Sequence, residues 1–260
     1  MQKLFAVCLT TLKEYMAYRL NFVLWRLRMF LGMMVTFFLW FSVFEKQAHF
    51  GAYSKNVLLS YILYSSLIST LTLSSRVAEI AAQLNDGSII NLLLKPISIF
   101  SYYFSRDIAD KCINVGFAVF EVMIVVYFFQ APLIPPQNIL LFLPFLLCGI
   151  LISFYINMIL SFIGFWTTEV WAPRFLFYTL VFFLSGSYFP LDILPKSIYI
   201  ILMFTPFPSI FFIPTKILIG QIHTIPLWQI GISFFWVFVL FHLSMKIWKQ
   251  GNKSFSFWGK

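Results

Sequence analysis

Residues 56–75 contain no Asp, Glu, Lys or Arg, and most of them are apolar. A run of about 20 such residues is the length at which an α-helix crosses a lipid bilayer. The rest of the chain has the same character: 61% of its 260 residues are hydrophobic and 10% are charged. A soluble domain carries about 25% charged residues. One soluble core could not bury so much apolar surface, so the chain is predicted to be a polytopic membrane protein.

Six apolar runs of this kind predict an all-α integral membrane protein with one domain, residues 1–260. The predicted transmembrane helices are residues 21–44, 56–75, 108–129, 139–165, 173–188 and 227–248. Residues 76–107 form the longest charged connection between them. Residues 1–20 have an apolar face and predict an amphipathic helix on the inner leaflet, the alternative being an extension of the first span.

The apolar stretch that remains, residues 189–226, is interrupted by prolines. Because proline breaks a helix interior, this stretch predicts two half-helices that enter the membrane from the outer face and return. A seventh span and a surface loop are the alternatives. The residues assigned to this predicted outer gate are Gly186, Pro190, Pro195, Pro206, Pro208 and Pro214.

The distribution of lysine and arginine predicts the orientation of the chain. Cytoplasmic loops of membrane proteins are enriched in both residues. With six spans and both termini in the cytoplasm, only Lys46, Lys55, Lys196 and Lys216 of the 18 basic residues lie outside. The same rule accounts for the net charge of +9 without a nucleic-acid partner.

The sequence contains no pattern typical of an enzyme or of a metal site. It has no GxxxxGK phosphate-binding loop, no HExxH and no GxSxG, and its three cysteines form no CxxC pair. We therefore expect no catalytic residue, no metal ligand and no cofactor in this chain. The energy for any transport must come from a partner ATPase or from an ion gradient.

The sequence "LNDGSIINLLLKPIS", residues 84–98, places a turn and a short apolar helix in the predicted cytoplasmic loop. Asp86 and Gly87 form the turn, Ser88 is a predicted N-cap, and Pro96 ends the helix. The helix is apolar through Ile89, Ile90, Leu92, Leu93 and Leu94, and it is followed by Lys95. A helix this short is unstable alone, so it must pack on lipid or in the groove of a partner protein. The sequence pattern leaves both open.

A polar face is predicted on the third span. Asp107, Asp110, Asn114 and Glu121 are spaced by three, four and seven residues and share one side of a helix. The fourth span has a similar stripe of Ser153, Asn157 and Ser161, and we expect Asn114 and Asn157 to lie at similar depth, where the two side chains could form a hydrogen bond. Glu121 either lines a transport path or is a packing residue.

Three segments together resemble the type-2 permeases of ABC transporters. In one branch of about this length, a leucine-rich run ending in Arg-Pro or Lys-Pro follows an acidic or glycine turn, as in "DGSIINLLLKPIS". The outer segment "SGSYFPLDILPKSIYIILMFTPFPSIFFIPTKILIG" and the first span "YRLNFVLWRLRMFLGMMVTFFLWFSVF" are similar to the same branch. The likeness covers nearly the whole chain, and Lys95 departs from the more common arginine.

The resemblance implies the permease subunit of an ABC exporter in the cytoplasmic (inner) membrane. Two separate ATPase subunits would bind ATP and Mg and dock on the inner loop, with residues 89–95 as the coupling helix. The permease would pair with a second copy or with a related chain and would move a hydrophobic or amphipathic substrate, such as a drug, a peptide or a lipid-like molecule. A gradient-driven secondary transporter and a scramblase are the alternative functions.

Overall fold

The computed structural model describes residues 2–73, 76–222 and 226–254. Several predicted features extend beyond these ranges. They are Met1 of the predicted N-terminal helix, residues 74–75 of the second span, residues 223–225 of the outer segment, and Lys260.

Most of the described residues are helical, which confirms the predicted all-α membrane fold. The helices are α1 (Gln2–Ala17), α2 (Arg19–Lys46), α3 (Lys55–Thr72), α4 (Glu79–Asn85), α5 (Ile90–Leu93), α6 (Ile99–Phe129), α7 (Ile139–Phe162), α8 (Trp171–Leu184), α9 (Lys196–Met203), α10 (Phe212–Leu218) and α11 (Leu227–Ser254). Short 3₁₀ turns occur at Arg76–Ala78, Ile163–Phe165, Leu191–Ile193 and Phe207–Ser209. A small antiparallel hairpin, β1 (His49–Phe50) and β2 (Tyr53–Ser54), joins α2 to α3 and pairs Phe50 with Tyr53.

Helix α6 begins earlier than predicted. Its first turn is capped by Ser98, whose hydroxyl accepts a hydrogen bond from the Ser101 amide at 3.2 Å. The third span is predicted at residues 108–129, but Arg106 and Asp107 are buried within α6 against other elements. The predicted loop, residues 76–107, therefore includes more than two turns of α6.

Four described helical segments have the length and apolar character needed to cross a membrane: Arg19–Lys46, Ile99–Phe129, Ile139–Phe165 and Trp228–Lys253. The total reaches six if two bent helix pairs are each taken as one span, one of them being α9 with α10 at 76°. The predicted fifth span corresponds to α8, which has 14 residues. A helix of this length covers about 21 Å, less than the hydrocarbon thickness of about 30 Å. The number of six spans remains a prediction.

Two apolar clusters form the core of the described chain. The larger surrounds α3, where Leu58, Leu59 and Leu63 are fully buried, and it includes residues of α2, α7 and α10. The smaller lies at the other end of the bundle. It joins the segment after α3 to the end of α7 and contains Val77, Ile80, Leu84, Ile89, Leu92, Ile99, Tyr103, Phe154, Met158, Phe162 and Phe165. The connection between α3 and α6 is therefore folded onto the bundle.

Helix α1 packs along α6. Val7 and Thr11 are buried, and the Cys8 thiol lies 3.2 Å from the Ser105 carbonyl oxygen. The predicted apolar face is thus partly covered by protein, while the apolar side chain of Met16 is 79% exposed. The helix ends at Ala17, and α2 begins at Arg19.

Candidate functional site

The turn before α5 differs in detail from the predicted N-cap. The Ser88 amide donates to Oδ1 of Asp86 at 2.8 Å, and the hydrogen bonds from Ser88 hold the pKa of the Asp86 carboxyl below its usual value. Gly87 has a φ of +77°, a left-handed conformation that favours glycine. Helix α5 is capped at Ile89 without a side-chain bond, so the assignment of Ser88 as N-cap is wrong. The carboxylate of Asp86 instead organises the turn.

Helix α5 has one buried side and one exposed side. Ile89 is 0% exposed and Leu92 is 6% exposed, and both pack in the smaller apolar cluster. Leu94 is 79% exposed and Leu93 is 37% exposed, while Lys95 and Pro96 are also at the surface. The expectation that the helix needs lipid or a partner to fold is therefore wrong, because the chain supplies its base. An apolar edge, Leu93–Leu94, remains uncovered.

A network of charged side chains joins α1, the start of α4 and α6. Arg106 of α6 lies 2.5 Å from the Glu14 carboxylate and 3.1 Å from that of Glu79. Arg76 lies 3.1 Å from Glu79 and 3.6 Å from Glu14. The network links the connection that carries α5 to α6, a long helix of the bundle.

Glu121 pairs with an arginine that the sequence pattern did not assign to it. Both guanidinium Nε and Nη2 of Arg26 on α2 donate to the two carboxylate oxygens of Glu121 on α6. The side chains are 6% and 15% exposed. Such a bidentate pair fixes the relative position of the two helices, which favours the packing role among the two roles considered for Glu121.

Asn114 and Asn157 are both buried, but the hydrogen bond that they could form with each other is not made. Asn114 donates to the Asp110 carbonyl oxygen at 2.8 Å, and Asn157 donates to the Ser153 carbonyl oxygen at 2.9 Å. The Asn157 side-chain oxygen accepts instead from the hydroxyl of Tyr178 on α8.

Arg174 adds a second contact between α7 and α8. Its Nη2 donates to the Ser161 hydroxyl at 2.8 Å and lies 3.4 Å from the Asn157 side-chain oxygen. The polar stripe of α7 therefore contacts α8 through Asn157 and Ser161.

The predicted outer gate is built around a close approach at Gly186. The Tyr61 hydroxyl of α3 donates to the Gly186 carbonyl oxygen at 2.5 Å, and a Cβ at this glycine would lie 2.9 Å from the same hydroxyl. Gly186 also has a φ of +78°, so this position requires glycine.

The prolines of the outer segment lie at helix boundaries. Pro190 precedes the 3₁₀ turn Leu191–Ile193, Pro195 precedes α9, and Pro206 precedes the turn Phe207–Ser209 that contains Pro208. Pro214 lies in the first turn of α10, where a missing amide is tolerated.

The bend between α9 and α10 lies against α11. The Ser209 and Ser233 hydroxyls are 2.8 Å apart. Ser233 lies six residues after the start of α11, or about 9 Å along that helix. After α10, the chain contacts the connection before α7: the backbone N–H of Gln137 donates to the Leu218 carbonyl oxygen at 2.8 Å.

A polar triad of buried Lys216, buried Tyr53 and exposed Asp192 ties the predicted outer segment to the β-hairpin. Lys216 of α10 is 7% exposed, and its ammonium lies 2.8 Å from both the Tyr53 hydroxyl and the Asp192 carboxylate. The Tyr53 hydroxyl donates to Asp192 at 2.6 Å. Burial, and next the carboxylate of Asp192, raise the pKa of Tyr53 well above its usual value, so the phenol remains a donor.

No group of three or more His, Cys, Asp or Glu side chains in the described ranges could hold a metal ion. Cys8, Cys112 and Cys148 are free thiols.

The match to a protein family covers most of the chain. A family model described as "ABC-2 family transporter protein" matches residues 30–259. The chain belongs to the ABC-2 family of transporter proteins. No curated protein matches it.

Membership in the ABC-2 family confirms the predicted resemblance and gives the chain a general role. It is a multi-pass membrane protein and the permease component of an ABC transporter, a component that is generally not catalytic. Permeases of the ABC-2 family associate in general with ABC ATPases. The match includes α5 and the outer segment and begins within α2.

The sequence pattern does not identify the polar contacts that three basic residues make between elements of this ABC-2 permease. Arg26, Arg174 and Lys216 were counted only as topology signals, although each binds a polar group on another element. Helical spacing identifies which residues share a face, but it contains no information on the facing helix. The one available signal was the rarity of a charged residue within an apolar run.

Proposed function

We propose that this chain is the permease subunit of an ATP-driven exporter and that its ATPase subunits dock on α5. The observation that carries the proposal is the uncovered Leu93–Leu94 edge on a firmly packed base, in a chain of the ABC-2 family. Contiguous apolar surface that faces water marks an interaction site more often than scattered single residues do. A groove on an ATPase would bury them.

The charged network provides a route from the docked ATPase to the bundle. A shift of α4 and α5 would pull on Arg106 through Glu79, and on α1 through Glu14 and Arg76. Because Arg106 belongs to the long helix α6, this displacement would reach the membrane-embedded part of the permease. The coupling therefore needs both the apolar edge and the ion pairs.

The remaining assignments follow from this role. ATP and Mg would bind to the partner ATPases, and two permease chains, identical or related, would enclose the path. Both termini would lie in the cytoplasm, with the chain in the inner membrane. The apolar character of the helices fits a hydrophobic or amphipathic substrate, and the broken segment α9–α10 would close the outer end of the path.

A pull-down in mild detergent tests the proposal. The tagged permease is expected to retain an ATP-binding-cassette ATPase, identified by mass spectrometry, and the complex should hydrolyse ATP. Reconstituted permease that transports on an ion gradient alone would make it a secondary transporter. Lipid exchange between leaflets without ATP would make it a scramblase, and either result would overturn the proposal.

A further inference from the structure

One face of α11 changes from aromatic to basic along its length. The residues on this face are spaced by three or four and are all exposed, and they are Phe235, Phe238, His242, Lys246, Lys249 and Lys253. Residues with this spacing form one stripe on a helix. The stripe runs without interruption from the membrane-embedded part of the helix to its basic end.

The opposite face of α11, which includes buried Leu240, holds the helix on the bundle. Beside this face, Trp248 contacts Phe162 with ring centroids 5.1 Å apart, and Phe241 contacts Tyr155 at 5.5 Å. This packing turns the lysines away from the protein. Helix α11 contains no Asp or Glu to neutralise them.

A shallow groove lies beside the basic end of the stripe. Its walls include apolar Phe241 and Met245 as well as Lys246, Lys249 and Lys253. The His242 ring lies over Phe238 at 4.1 Å, with its Nδ1 2.9 Å from the Phe238 carbonyl oxygen. The groove thus combines an apolar floor with a row of cations.

We propose that this stripe binds an anionic phospholipid. Lys246 lies eight residues beyond Phe238, or about 12 Å along the helix. Acyl chains against Phe235 and Phe238 would therefore place the phosphate of the same lipid beside Lys246 and Lys249. Basic residues next to a transmembrane helix attract anionic headgroups. Here the aromatic residues on the same face of the helix provide an apolar surface for the acyl chains.

Native mass spectrometry with phosphatidylglycerol or phosphatidylcholine of identical acyl chains tests this site. In the variant K246Q/K249Q/K253Q, the amount of bound phosphatidylglycerol should fall at least about tenfold relative to the parent protein. The matched control K3Q/K13Q/R19Q removes the same charge from exposed positions near the N-terminus and should retain the lipid. Equal loss in both variants, or equal retention of phosphatidylcholine by the parent protein, would contradict the proposal.

A second measurement uses the otherwise unchanged protein and avoids dependence on the folding of the triple variant. A photoreactive phenylalanine analogue at Phe238 should form an adduct with phosphatidylglycerol in vesicles that contain both lipids. A crosslink to a second copy of the chain in place of lipid would show that protein covers the stripe and would overturn the proposal. Neither readout involves ATP or transport, so failure here leaves the proposed function unaffected.

Discussion

At the level of single residues, Arg26 and Glu121 form a bidentate ion pair between the two long helices α2 and α6. Removing one partner of a buried ion pair costs about 3–5 kcal/mol, whereas replacing both by apolar residues is often neutral. We expect Arg26→Met and Glu121→Gln each to lower the unfolding temperature in detergent. The double variant R26M/E121L should recover most of the loss.

The same variants separate the two roles considered for Glu121. If Glu121 is a packing residue, a double variant that recovers the stability of the parent chain should also recover its transport rate. A double variant that is as stable as the parent chain but inactive in transport would assign the charge to the transport path. Single variants as stable as the parent chain would contradict the importance of the pair.

At the level of elements, the triad of Lys216, Tyr53 and Asp192 holds the outer segment to the β-hairpin. Lys216→Met removes two hydrogen bonds at a buried site and leaves the Asp192 carboxylate without its cation. We expect faster hydrogen exchange throughout α9 and α10 in this variant. Lys196→Met is the matched control, because Lys196 is an exposed lysine in the same segment, and it should leave the exchange unchanged. Similar exchange in the two variants would argue against the triad as a latch.

Some features of these helices can be predicted from the sequence, and others cannot. Apolar length and the spacing of Asp107, Asp110 and Asn114 suffice to predict long helices and the buried side of α6. The spacing does not reveal that Asn157 faces Tyr178 instead of Asn114, because that choice depends on how three helices pack. The sidedness of α5 is also hard to predict, since a single helical turn with one polar residue, Asn91, is too short to show a periodic pattern.

At the level of the whole molecule, the orientation in the membrane is open to direct measurement. In a chain with Cys8, Cys112 and Cys148 replaced, single cysteines at the exposed positions Lys46 and Asn138 should react with an impermeant reagent added outside. Cysteines at Leu94 and Lys253 should react only after the membrane is opened. External labelling at Leu94 would reverse the topology and place α5 out of reach of any ATPase.

Docking of an ATPase on the exposed edge of α5 is tested most directly by a substitution at Leu94. Burying a leucine contributes about 1.5–3 kcal/mol to an interface, so a charge in its place should reduce binding at least about tenfold. Leu94→Asp should therefore lose the co-purified ATPase and transport while keeping its unfolding temperature, since the side chain is 79% exposed. The control Leu94→Met keeps an apolar side chain and should retain both. A Leu94→Asp permease that co-purifies with its ATPase and transports at the parent rate would contradict the account.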